Sequence, residues 1–180
     1  MSIAPPSVNI GHVGLFVRNL DMMLAFYRET LGFVMTDRGE RICFLSRDPR
    51  QHHQVVLVPG RAPDGPDQVQ QLSFRVDTLE EVQTIHNKLV AAGIKKLEPV
   101  THGNAWSVYF RDPEGNRLEF YCDTPWHVPQ PFRRDVDYSQ SIEQIYATTK
   151  AICEATPGYK PIEQYYKELG QRIAGQPAHA

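Results

Sequence analysis

The chain has 180 residues, of which 41% are hydrophobic and 22% charged, as in an ordinary globular protein of one domain or two fused half-domains. Its 19 basic and 21 acidic residues give a formal net charge of -2 without a basic block, so nucleic-acid binding has no electrostatic support. No apolar run approaches the roughly 20 residues that span a bilayer. The three cysteines are too scattered for a disulfide framework or a structural zinc site. We therefore expect a cytoplasmic protein without a membrane partner.

The first third of the chain predicts an arm followed by a β-α-β-β-β module. Residues 1–8 contain two prolines and are expected to form the arm, and residues 11–17 form a short apolar strand. From Leu20 apolar residues recur at helical spacing until Gly32 ends the helix. Three extended runs follow, at 33–37, 41–45 and 53–58. We place the first module at residues 9–60.

The same pattern then starts again. Residues 61–68 are rich in proline and glycine and predict a linker. A strand at 71–76 precedes a helix that ends at Gly93, and three more extended runs finish at Tyr121. The two halves align with a period of about sixty residues, which indicates a duplicated module. We place the second module at residues 69–123.

The second module ends in a predicted hairpin. Residues 106–111 and 117–121 alternate as strands around turn residues 112–116. Because strand side chains alternate between two faces, Glu119 and Tyr121 share one face, opposite the apolar residues of the same strand. A carboxylate in this position is either solvated or functional.

The remaining residues, 124–180, predict a proline-rich segment and two helices, at 141–155 and 161–173. Their aromatic side chains could lie against the sheets or against a second subunit. The sequence therefore predicts an α+β fold in which two tandem βαβββ modules form facing curved mixed sheets around a cleft, followed by a C-terminal helical tail.

Three distant residues are expected to meet in that cleft. His12 and Gln71 enter the first strand of each module, and Glu119 lies in the last strand of the second. An imidazole and a carboxylate suit a divalent transition metal with open positions for a substrate. The alternative for each is a solvent-facing or capping role. Trp106 and Phe110 could line an aromatic-accepting part of the pocket or pack in the core.

Several motifs resemble the vicinal oxygen chelate superfamily, which includes glyoxalases, bleomycin-resistance proteins, methylmalonyl-CoA epimerases and type I extradiol dioxygenases. They are GHVGLFV, FYRETLGF, RDPEGNRLEFY and DTPW, which occur in this order. The resemblance covers residues 9–130. Within the superfamily, RQHHQVVLV, VTHGNAWSVYF and Glu119 are most similar to extradiol dioxygenases that cleave catechols and dihydroxybiphenyl.

This resemblance implies roles for individual residues. His12 resembles the first iron-binding histidine of these dioxygenases, and Glu119 resembles their iron-binding glutamate. His53 is similar to the histidine near their oxygen site. His102 and Tyr109 are similar to the pair that hydrogen-bonds the substrate hydroxyls. The resemblance also implies a homodimer.

One position departs from the resemblance. Gln71 stands where those dioxygenases have a second iron-binding histidine, so the two-His, one-carboxylate set is incomplete. An amide oxygen is a weaker donor to Fe(II) than imidazole, although a glutamine ligand occurs among the glyoxalases of the superfamily. The expected cofactor is a divalent metal, Fe(II) first, with Zn, Ni or Mn possible because of Gln71.

Three functions remain open from the sequence. The first is an oxygenase that uses O₂ on a catechol-like or other oxygen-chelating substrate. The second is a redox-neutral isomerase, lyase or thiol transferase of glyoxalase type. The third is a metal-free protein that sequesters a small aromatic compound, as resistance proteins do.

Overall fold

The computed structural model describes residues 10–63 and 69–174, so the expected arm and residues 64–68 of the expected linker lie outside the described part. The first module contains β1 (Val13–Val17), α1 (Leu20–Ala25) with a π-helical turn (Phe26–Thr30), β2 (Val34–Gly39), β3 (Ile42–Ser46) and β4 (Val55–Pro59). The second contains β5 (Leu72–Arg75), α2 (Leu79–Ala91), β6 (Glu98–Thr101), β7 (Ala105–Arg111) and β8 (Arg117–Asp123). The tail contains β9 (Trp126–His127), β10 (Arg134–Asp135), α3 (Ile142–Glu154), β11 (Lys160–Pro161) and α4 (Ile162–Ala174).

Both modules build their sheets in the same way. The first sheet has the order β1-β4-β3-β2, and the second has the order β10-β6-β7-β8-β5. In each, the first strand of the module lies parallel to the last, and the other neighbours are antiparallel. The predicted α+β fold with two tandem modules and a C-terminal helical tail is confirmed.

The helices begin at polar caps. The Asn19 side chain accepts a hydrogen bond from the first turn of α1, and Thr78 and Ser141 form capping boxes with the third residues of α2 and α3.

The two modules share one hydrophobic core. The rings of Phe33 and Phe74, one from each module, lie edge to face with centroids 5.4 Å apart. A buried carboxylate adds a polar contact: Glu114 Oε1 accepts hydrogen bonds from the backbone N–H groups of Arg18 at 2.6 Å and Asn19 at 2.8 Å. The turn between β7 and β8 is thereby tied to the start of α1.

The tail extends and covers the second sheet. β10 pairs with β6 at its edge, and Trp106 Nε1 donates to Thr149 Oγ1 of α3 at 2.9 Å. β9 pairs with β11, which leads into α4. Among the described helices, none combines the length and the apolar character needed to cross a bilayer.

Candidate functional site

A cleft of about 410 Å³ opens on the second sheet. Among the described residues, its walls come from the second module and comprise Gln71, Ser73, His102, Ala105, Tyr109, Glu119 and Tyr121. The apolar alternates of β8, Leu118 and Phe120, are buried in the core. Strand alternation therefore separates the core face of this sheet from the face that carries the polar residues.

Glu119 lies at the centre of the cleft and is only 5% exposed. Its Oε2 accepts hydrogen bonds from Ser73 Oγ at 2.5 Å and from Gln71 Nε2 at 3.2 Å. Ser73 lies directly opposite Glu119 in the parallel pair of β5 and β8, and Gln71 Nε2 also donates to its hydroxyl. Two of the three residues expected to bind a metal are therefore neighbours, and the Gln71 amide turns its nitrogen toward the carboxylate.

His102 and Tyr109 form a second polar pair. His102 Nε2 lies 2.9 Å from the Tyr109 hydroxyl, and His102 Nδ1 lies 2.9 Å from the carbonyl oxygen of Phe132. A carbonyl only accepts, so Nδ1 carries the proton and donates it. In the neutral imidazole Nε2 is then an acceptor, and the Tyr109 hydroxyl donates to it. The pair expected from the resemblance is assembled, and Phe132 of the tail sets its tautomer.

The surroundings keep the phenol of Tyr109 neutral. Burial, followed by the adjacent Glu119 carboxylate, raises the pKa of Tyr109 well above its ordinary value, against the opposing charges of Arg117 and Arg133. Tyr109 is 4% exposed, and Glu119 is its direct cross-strand partner. At neutral pH the side chain can therefore donate a hydrogen bond.

The expected site residues of the first module form a separate group. The rings of His12 and His53 have centroids 4.4 Å apart. His52 Nε2 lies 2.9 Å from Asp37 Oδ2, and the Nδ1 atoms of His52 and His53 lie 3.0 Å apart. The Asp37 carboxylate only accepts, so His52 Nε2 carries a proton and donates it to Asp37. Burial, then the charges of His12 and His52, lower the pKa of His53.

A metal was expected to join these two groups. His12 is exposed and does not line the cleft, and the structure records no contact between it and Gln71 or Glu119. Within residues 10–63 and 69–174, no three His, Cys, Asp or Glu side chains are grouped to hold a metal. The cleft of a single chain therefore contains two of the three expected metal ligands, the Glu119 carboxylate and the Gln71 amide.

Two residues that line the cleft were not predicted from the sequence, and two residues considered for the pocket lie in the core. Ser73 and Ala105 line the cleft, and alternation from Gln71 would have placed Ser73 on the same face. Trp106 and Phe110, considered for the pocket, are instead 3% and 1% exposed within the core. Trp106 lies three residues before Tyr109 in β7 and Phe110 one residue after it, so both point to the opposite face.

Comparisons with known proteins identify the family and the fold of this chain. The family model of the glyoxalase/bleomycin resistance protein/dioxygenase superfamily matches residues 9–120. A solved glyoxylase/bleomycin resistance protein/dioxygenase domain from Frankia sp. EAN1pec is similar to this chain, with a TM-score of 0.54 and 26% identity. The match covers 66% of this chain and 100% of that domain. Lactoylglutathione lyase from Agrobacterium tumefaciens has a TM-score of 0.53 and 24% identity, covering 66% of this chain and 95% of that chain, which shows the fold alone.

Curated relatives carry dioxygenase names. Biphenyl-2,3-diol 1,2-dioxygenase 3 of Rhodococcus globerulus is 30% identical over 68% of this chain and 66% of the relative. The manganese-dependent 2,3-dihydroxybiphenyl 1,2-dioxygenase of Geobacillus genomosp. 3 is 30% identical over 63% of this chain and 36% of the relative. The 1,2-dihydroxynaphthalene dioxygenase of Pseudomonas sp. (strain C18) is 27% identical over 96% of this chain and 57% of the relative. The chain thus matches between about a third and two thirds of the length of these relatives.

Proposed function

Because this chain belongs to the glyoxalase/bleomycin resistance protein/dioxygenase superfamily, we propose that it is an extradiol dioxygenase-like enzyme acting on a small catechol-like substrate. The observation that carries the proposal is the cleft itself, in which Glu119 and the Tyr109–His102 pair meet. The dioxygenase names of the curated relatives support it. A catechol presents two adjacent hydroxyls, which match these acceptors and donors.

We propose a divalent metal bound by His12, Gln71 and Glu119, with Fe(II) as the first choice and Mn, Zn or Ni as alternatives. Bound there, it would draw the substrate oxygens together and lower the pKa of their protons. The carboxylate and the amide oxygen are hard donors, which suit Mn(II) or Mg(II) as well as Fe(II). Gln71 must turn its amide oxygen inward, exchanging its hydrogen bond to Glu119 for a bond to the metal.

The protein side chains would handle the protons and the orientation of the substrate. When substrate binds, the Tyr109 hydroxyl would turn from His102 Nε2 and donate its hydrogen bond to a substrate oxygen. His102 Nε2, freed from Tyr109, would accept a proton from a substrate hydroxyl. His53 is a second base, suited to a proton acceptor beside O₂. Ser73 holds Glu119 in one rotamer, because its hydroxyl lies 2.5 Å from the carboxylate.

His12 and His53 do not line the cleft of their own chain, so we propose a homodimer in which a second copy supplies them. The supporting observation is that every described residue of the cleft wall belongs to the second module. A self-complementary dimer would place the first module of each copy over the second module of the other, and would form two equal sites.

The second candidate is a redox-neutral enzyme of glyoxalase type. Gln71 favours it, because an amide in place of a histidine weakens Fe(II) binding and leaves a Lewis-acid role for Zn or Ni. In this case the Tyr109–His102 pair would move a proton on the substrate without consuming O₂.

The test is metal analysis of protein purified without air, followed by ring-cleavage assays with catechol and dihydroxybiphenyl after addition of Fe(II) or Mn(II). We expect oxygen consumption and a ring-cleaved product. Glu119→Gln should lower the rate roughly 100-fold or more, because the carboxylate ligand is lost. The matched control is Glu40→Gln, which changes an exposed glutamate in the turn between β2 and β3.

Two other results would decide against ring cleavage. Conversion of a substrate by protein loaded with Ni or Zn, without oxygen uptake, would establish the redox-neutral candidate. Tight binding of an aromatic compound without metal or turnover would identify a sequestering protein.

A further inference from the structure

Three arginines surround one carboxylate next to the cleft. Arg133 Nη2 lies 2.7 Å from Glu98 Oε2, and Arg117 Nη2 lies 3.4 Å from the same oxygen. Arg111 contributes a third positive charge near Glu98 and donates to the Gly115 carbonyl at 2.5 Å. These arginines, Arg111, Arg117 and Arg133, form the arginine cluster.

The strand register places this cluster at one end of the cleft. Arg117 lies two residues before Glu119 in β8, so both side chains belong to the same face of the sheet. The pairing of Leu72 with Leu118 puts Gln71 beside Arg117. The guanidinium carbon of Arg117 lies 4.1 Å from the ring centroid of Tyr109, which holds it over a residue of the cleft wall.

The charges of the cluster are not balanced locally. Arg133 and Arg117 both contact Glu98, and the hydrogen bond from Arg133, followed by the charges of Arg117, Arg133 and Arg111, holds the pKa of Glu98 below its ordinary value. Glu98 already pairs closely with Arg133, so the 3.4 Å contact of Arg117 is the weaker one. A guanidinium has five N–H donors, and most of those of Arg117 are left for another acceptor.

We propose that Arg117, supported by Arg111 and Arg133, binds a carboxylate on the substrate and makes the enzyme selective for acidic aromatic compounds. A planar guanidinium fork matches a carboxylate in a bidentate arrangement. The ring of Tyr109 lies beneath the guanidinium and orients it. The inference rests on the proposed function, because it assigns the cleft to an aromatic substrate.

Binding of two probes tests the charge preference without turnover. Phenylacetate and phenylacetamide have nearly the same shape and differ in charge, and calorimetry on the purified full-length protein gives both affinities. We expect phenylacetate to bind roughly 10- to 100-fold more tightly, which is the range of a charge-assisted hydrogen-bonded pair. Arg117→Gln should abolish this preference, and Arg117→Lys should retain part of it, since it keeps the charge but loses the fork.

Arg75→Gln is the matched control. Arg75 also lies on this sheet, on the edge strand β5, but its partner is Asp123 at 3.4 Å, at the other end of the cleft. This variant should keep the wild-type preference. Equal affinities in the wild-type protein, or a preference that survives Arg117→Gln, would overturn the inference. Tighter binding of inorganic phosphate than of phenylacetate would overturn the choice of a carboxylate.

Turnover separates this inference from the proposed function. Cleavage of methylcatechol and dihydroxyphenylacetate at equal rates would support ring cleavage and refute the acidic selectivity. A phenylacetate preference lost in Arg117→Gln, with neither catechol cleaved, would support the carboxylate site and refute ring cleavage.

Discussion

At the residue scale, the pairing of Tyr109 with His102 shows how the protein sets the protonation of its cleft. Phe132 accepts the Nδ1 proton of His102, so the tail decides which nitrogen faces Tyr109. The Glu119 carboxylate, only 5% exposed, disfavours a second negative charge beside it. The cleft thus combines a fixed carboxylate with a neutral hydroxyl donor.

The raised pKa of Tyr109 makes a prediction about alkaline pH. The pKa of Tyr109 in the folded state lies above 10.0, its value in the unfolded state. The neutral phenol therefore contributes fully to stability below about pH 10, and this contribution is lost as the pH rises from 10 toward the folded-state pKa. Tyr109→Phe should therefore flatten the loss of unfolding free energy above about pH 10. Urea unfolding over a pH series, with ultraviolet difference spectra of tyrosinate, measures the effect.

Tyr166→Phe provides the comparison for the substitution itself, because Tyr166 is 49% exposed on α4. If Tyr109→Phe removed part of the tyrosinate signal that develops below about pH 10, the phenol would not be protected as its burial indicates.

At the element scale, the turn between β7 and β8 joins the modules through Glu114. Its side chain is 2% exposed, and one of its oxygens receives two backbone N–H groups at the start of α1. A carboxylate at a helix start satisfies donors that the helix itself leaves unpaired. We call these two hydrogen bonds to Glu114 the clasp. The clasp aligns the first helix with the hairpin that carries Glu119.

Removing this clasp should weaken the fold. Glu114→Ala leaves two N–H groups without their buried acceptor, at an expected cost of about 2 to 4 kcal/mol. Asp21→Ala is the control, because its side chain is 81% exposed in the first turn of α1. Chemical denaturation should show a much smaller change for Asp21→Ala, and equal changes in the two variants would contradict the clasp.

Gly103 supports a second prediction at this scale. It follows His102 with φ of 72°, and an added Cβ would lie 2.2 Å from Val128 Cγ2 of the tail. Gly103→Ala should cost about 3 kcal/mol or more, from both backbone strain and overpacking. Gly115→Ala is the matched variant, since Gly115 has φ of 87° but no atom within 4 Å of the added Cβ.

Thermal unfolding of the two glycine variants isolates the packing contribution. Gly115→Ala should lose only about 1 to 2 kcal/mol, which is the cost of the left-handed backbone. If both variants lost the same amount, the tail would not press against the strand end that bears His102.

At the scale of the whole molecule, the proposed dimer makes a prediction about mixed subunits. His12→Ala and Glu119→Gln should each be inactive alone. In a composite arrangement, mixed dimers contain one intact site, so an equal mixture should recover about a quarter of wild-type activity. Subunit exchange followed by the oxygen-uptake assay measures this recovery.

Native mass spectrometry of the same mixture, with one variant labelled with a heavy isotope, establishes whether mixed dimers have formed. Mixed dimers without recovered activity would show that His12 does not complete the site of a second copy.

Much of the cleft could be predicted from the sequence, because its residues lie within one module. Alternation along β8 placed Glu119 on the face opposite Leu118 and Phe120, and the internal repeat aligned Gln71 with the start of a strand. The hydrogen bond between Gln71 and Glu119 then follows from the parallel pairing of β5 with β8. Local periodicity and a single sheet register were enough for this pair.

The sequence by itself determined the helices and strands of the duplicated modules and the faces of the strands, since these depend on residues close together in the chain. Only the tertiary structure decided that Phe132 orients His102, that Trp106 packs under α3, and that His12 lies with His53 and does not line the cleft. These contacts depend on how the modules and the tail pack against one another. That packing arises from many weak apolar contacts spread over the shared core, which no short stretch of sequence encodes.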